Sequence, residues 1–99
     1  MFDFQWDMGN ESHIIDHYPL RANSIEEVES LFYDPAPLAL PDPEHSGQEE
    51  RFKLVARSNQ NRIMLVVYVI RNGQIRPISC RPASQKERER YAQITQKPE

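Results

Sequence analysis

Ninety-nine residues, 38% hydrophobic and 27% charged, suit one small soluble domain spanning 1–99, and no apolar run approaches the ~20 residues a bilayer-crossing helix needs. The start, Met1–Asp7, lacks the basic region and apolar core of a secretory signal, and a single cysteine, Cys80, excludes an internal disulfide and a Cys-rich metal site, so a cytoplasmic location is expected. The net charge of −3 hides a division: residues 1–50 hold one basic side chain, Arg21, against twelve acidic ones (−11), whereas residues 51–99 hold eleven against three (+8), so either the second half offers phosphates a basic face or the two halves pair with each other.

Phe2, Phe4 and Trp6 alternate with polar neighbours at strand period, and Asp7 with Gly9-Asn10 is expected to end that strand. Glu11–Tyr18 reads as one or two helical turns stopping before Pro19. Ser24-Ile25-Glu26-Glu27 is a capping box, followed by Ile25, Val28, Leu31 and Phe32 on one helical face, which predicts a helix over about residues 25–33. Four prolines between Asp34 and Pro43 confine Leu38-Ala39-Leu40 to a short edge strand, and Asp42–Glu50 is a polar loop.

From Arg51 the pattern is a three-strand meander. Phe52, Leu54 and Ala56 alternate with Arg51, Lys53, Val55 and Arg57, and the apolar run Ile63–Ile70 reads as a central strand covered on both faces. Asn72-Gly73 supplies a two-residue turn into the strand Ile75–Arg81. Ser84-Gln85-Lys86-Glu87 repeats the capping-box chemistry and opens a basic terminal helix, which carries Arg88 and Arg90 and can lay Tyr91 and Ile94 on the sheet. The fold class is therefore α+β: N-terminal helices, a mainly antiparallel sheet with a C-terminal meander, and a C-terminal helix.

An ordered series of motifs goes further. Phe4-Gln5-Trp6-Asp7, Ile25-Glu26-Glu27-Val28 leading to Leu31-Phe32-Tyr33-Asp34-Pro35, Asp42-Pro43-Glu44-His45-Ser46, Glu49-Glu50-Arg51-Phe52, Ala56-Arg57-Ser58, Val66-Val67-Tyr68 and Ile75–Ser84, followed by Glu87-Arg88 and Tyr91, resemble the BrnT toxins of bacterial type II toxin–antitoxin pairs. The resemblance implies a fold similar to RelE-type ribonuclease toxins, cofactor-free and metal-independent RNA cleavage that stops translation, and a BrnA-like ribbon-helix-helix antitoxin. That antitoxin would connect the toxin to DNA only indirectly, and no membrane is implied.

Metal-free RNA cleavage uses the RNA's own 2′-hydroxyl, so the enzyme must move protons and stabilise charge on the phosphorane. Arg57, Arg76 and Arg81 are the candidates for the charge, since a guanidinium gives paired hydrogen bonds to phosphate and keeps its proton. In an unbroken strand Ser79 and Arg81 share a face with Pro77 while Arg76 points the other way, unless Pro77 marks a bulge that resets the alternation. Ser79 and Arg76 are assigned to substrate binding, Arg57 and Arg81 to charge stabilisation, and His17 or Glu50 to proton transfer. His13 and His17 also have the spacing of a helical metal pair, but no third ligand lies near, and Cys80 reads as a buried filler. An inactive module of the same fold that binds the antitoxin is the alternative, favoured by Asp16 and Pro77, which stand where the family usually has a lysine and an aliphatic residue.

Overall fold

A computed structural model of the chain describes residues 1–15, 24–41 and 49–95. It is an α+β fold in the order α1 (Met8–Ile14), α2 (Ile25–Ser30) with a 3₁₀ turn (Leu31–Tyr33), β1 (Leu38–Pro41), β2 (Phe52–Arg57), β3 (Ile63–Arg71), β4 (Gln74–Pro82) and α3 (Gln85–Thr95). The four strands form one antiparallel sheet in sequence order, with proline-flanked β1 on an edge and β3 inside. Asn72 and Gly73 both take positive φ (52° and 76°), which closes the β3–β4 hairpin as their side chains allow.

The two faces of the sheet are covered differently. Ile14, Val28, Leu31, Leu54, Ala56, Met64, Val66 and Cys80 make a core on the side of α1 and α2. On the other side Tyr91 and Ala83 pack with Leu38, Val55 and Leu65 beneath α3. Each fully buried aliphatic side chain contributes roughly 1.5–3 kcal/mol, and β3 supplies residues to both clusters, which is why its sequence is apolar without alternation.

Two local expectations are corrected. Met1–Trp6 is not a strand: Phe4 makes an isolated parallel bridge to Ile75, flanked by bonds from Gln5 N to Ile75 O and from Ile75 N to Asp3 O, both 2.8 Å. The segment is cut short because Asp7 starts a helix, its Oδ1 accepting from Gly9 N (2.9 Å) and Asn10 N (3.3 Å) while Asn10 Oδ1 accepts from Asp7 N (2.8 Å). The first helix accordingly runs Met8–Ile14 rather than from Glu11; the part of that expectation beyond Ile15 lies outside the described residues.

Candidate nucleic-acid interface

Paired residues of neighbouring antiparallel strands project from the same face. Lys53 pairs with Val67 and Arg57 with Ile63, while Arg81 pairs with Leu65 and Ser79 with Val67, so Lys53, Arg57, Ser79 and Arg81 share the face that α3 partly covers. Past Ser79 the register slips: Tyr68 pairs with Pro77, and Ile78 is left without a partner. A proline has no ladder donor, and the bulge tolerates that loss. The slip also brings Arg76, paired with Val69, into phase with Ser79 and Arg81.

The bulge is where α1 is fastened. Asn10, almost fully buried, donates from Nδ2 to both Pro77 O and Gln5 O at 3.0 Å. Asp7 takes Arg76 in a two-pronged pair (2.8 and 3.0 Å), and this guanidinium holds the Asp7 carboxyl below the usual carboxylate range. The approach at Gly9 is close, since a Cβ there would meet Asp7 Oδ1 at 3.2 Å and Arg76 Nη2 at 3.4 Å.

One turn beyond Asn10, His13 reaches a basic depression made of two adjoining grooves. The first, about 420 Å³, is lined by Asn10, His13, Glu49, Arg51, Arg71 and Arg76 among others. The second, about 320 Å³, includes His13, Arg51, Lys53, Val67, Ser79 and Arg81. His13, Arg51 and Ile78 belong to both. Among the described residues Glu49 is the carboxylate of these linings, and both of its oxygens take Arg71 (2.7 and 2.8 Å), which lowers its pKa from the ordinary value. Arg81 is held by Glu87 of α3 (2.9 and 3.0 Å), with its side chain 40% exposed; the guanidinium is the main cause of a lowered Glu87 pKa.

Arg57 lies on the same face but in a different groove, of about 300 Å³, with Asp34, Ser58 and Asn59. Its Nη1 donates to Asn61 Oδ1 (2.6 Å) and its guanidinium lies 5.9 Å from the centre of the Tyr91 ring. The positions separating it from Arg81, Val55, Ile63 and Leu65, belong to the cluster under α3. The fold thus gathers Arg76, Ser79 and Arg81 along one depression and leaves Arg57 apart from it. Glu50 is exposed and lines none of these grooves, and His17 lies outside the described residues. Sequence reasoning did not assign Arg51, Lys53, Arg71 or Glu87 to the site. For Arg51 and Lys53 the signal was present, since they alternate in phase with Arg57 opposite the buried Leu54 and Ala56.

The family model described as "Ribonuclease toxin, BrnT, of type II toxin-antitoxin system" matches residues 6–87. This chain belongs to the BrnT family. The match covers Trp6 and Asp7, every strand of the sheet and the Glu87 that holds Arg81, so the basic depression lies within the part the family shares. Family membership brings with it an RNA substrate and an antitoxin partner. A comparison with curated proteins found no match. Among the described residues no three His, Cys, Asp or Glu side chains cluster as metal ligands do, and no helix is long and apolar enough to cross a membrane.

Proposed function

We infer that this chain, folded as one domain, is a cytoplasmic toxin that cleaves RNA without a metal and thereby halts translation, restrained by a ribbon-helix-helix antitoxin. The observation that carries this reading is the depression in which Arg51, Lys53, Arg71, Arg76 and Arg81 converge on an open half of the sheet of a BrnT-family member. Guanidinium and ammonium groups from three strands and the approach to β2 would bind successive phosphates, and Arg81 would neutralise charge that develops on the scissile one, with Ser79 beside it as a hydroxyl donor. Arg57, in its separate groove, would bind the strand farther along rather than the reacting phosphate.

Three of these arginines already hold carboxylates: Arg71 has Glu49, Arg76 has Asp7 and Arg81 has Glu87. That favours a second reading, an inactive module whose only business is with the antitoxin. One experiment separates the two. Purified protein is incubated with single-stranded RNA in EDTA, with Arg81→Gln alongside. Fragments ending in 2′,3′-cyclic phosphate from the wild type, and at least ~10²-fold fewer from the variant, support the toxin reading; intact RNA with the wild type supports the module. Co-purification with the product of the adjacent gene tests the antitoxin assignment, which fails if that product has no ribbon-helix-helix sequence pattern.

A further inference from the structure

We propose that His13 is the proton acceptor of the basic depression, a role that rests on the ribonuclease reading above. Cleavage through the 2′-hydroxyl needs a base beside the phosphate, and among the described residues the side chains that line the two grooves leave few to choose from. Arginine and lysine hold their protons at neutral pH, and serine and asparagine are not bases there. Glu49 has both oxygens engaged by Arg71, and its lowered pKa makes it a poor base. Asp7 likewise gives both oxygens to Arg76 while capping α1. Imidazole is the side chain suited to taking a proton near neutrality.

Its location matches the task. His13 lines both grooves, with Arg71 and Arg76 in one direction and Lys53, Ser79 and Arg81 in the other. A strand whose neighbouring phosphates occupy the two grooves would pass its linking ribose over this imidazole. The position is held from beneath: the next residue, Ile14, is fully buried in the core, and Asn10, one turn back, is bonded to the bulge of the strand that carries Ser79 and Arg81. His13 itself is exposed, as a group that meets substrate must be.

In the step, the 2′-hydroxyl gives its proton to the imidazole as the 2′-oxygen forms its bond to phosphorus. The bond from phosphorus to O5′ breaks, and O5′ takes a proton from water; the imidazolium then returns its proton to the hydroxide so formed. The products are a 2′,3′-cyclic phosphate and a 5′-hydroxyl, with no other reactant consumed.

The test compares wild type with His13→Ala for cleavage rate, RNA affinity and melting temperature, without and with added imidazole. The expected result is a loss of about 10²–10⁴-fold in rate, little change in melting or affinity, and partial return of the rate when imidazole fills the vacated space; Lys53→Gln, slowed for a different reason, gains nothing from imidazole. Full activity in His13→Ala, or a slow variant that imidazole does not help, overturns the assignment while leaving the ribonuclease reading standing. Absence of cleavage by the wild type overturns that reading and this inference with it.

Discussion

Glu27 and Glu87 stand at equivalent places, each three residues after a helix-capping serine and each holding an arginine from the sheet region, but only Glu27 is closed off from water. At α3 the box is complete, with Ser84 Oγ accepting from Glu87 N (3.2 Å) and Glu87 Oε1 accepting from Ser84 N (2.8 Å). At α2 only the serine half forms, Ser24 Oγ accepting from Glu27 N (3.1 Å). The Glu27 carboxylate turns inward instead, taking Ser58 Oγ (2.7 Å) and the Arg62 guanidinium. Its side chain is 5% exposed, against 21% for Glu87. Burial alone would raise the Glu27 pKa, but the bonds from Arg62 and Ser58 outweigh it and the net shift is downward. The pair at Glu27 ties α2 to the β2–β3 turn, whereas the pair at Glu87 holds an arginine that lines an open groove. One four-residue pattern therefore builds a buried brace and a more exposed pair, and the difference is the solvent around it.

The largest expected effect comes from breaking the brace. Glu27→Ala leaves Arg62 and Ser58 without their acceptor and should cost roughly 3 kcal/mol in denaturant unfolding. A loss below about 1 kcal/mol, the range of exposed pairs, would put Glu27 in the same class as Glu87. Next comes Tyr91→Phe. Tyr91 is buried and donates to Asp34 Oδ2 (2.6 Å), so α3 is held by this side chain more than by its first turn, and removing the hydroxyl should cost about 1.5 kcal/mol. The comparison requires that loss to exceed the one from Glu87→Gln.

Glu87→Gln should change stability by less than ~1 kcal/mol, while RNA binding tightens a few-fold because Arg81 loses its competing carboxylate. Weaker binding would mean that Glu87 orients Arg81 for the phosphate rather than competing with it. The smallest effect is on pH dependence. Both carboxylates have folded pKa values below the ordinary 4.5, so the folded chain binds fewer protons than the unfolded chain in that region. Their contribution is complete above the unfolded value and is lost as pH falls through the folded one. Glu27→Gln and Glu87→Gln should therefore each flatten the acid limb of the stability curve.

How much of this could be read from the residues depended on how local each cause was. The meander was legible because alternation in Phe52–Arg57, the unbroken run after Ile63 and the Asn72-Gly73 turn are all carried by neighbours in sequence. The start of α1 was not, since Asp7 and Asn10 cap a helix with residues that also end strands. Nor was the inward turn of Glu27, whose partner Arg62 lies 35 residues away. In the site, the bulge at Ile78 was legible only as an alternative attached to Pro77; what fixes it is the tertiary bond from Asn10 to the Pro77 carbonyl. The separation of Arg57 from Arg81 follows from where α3 lays Tyr91, a packing result that strand periodicity does not carry.

The most direct test of the account is the salt dependence of binding to single-stranded RNA, for the wild type and for the double variant Lys53→Gln/Arg81→Gln, which removes two cations from one groove. If that groove binds phosphate, log affinity falls linearly with log salt for the wild type, and the slope becomes shallower by about 0.7 for each phosphate the variant no longer neutralises, with weaker binding at low salt. Equal slopes and equal affinities for the two proteins would contradict a basic depression that binds RNA.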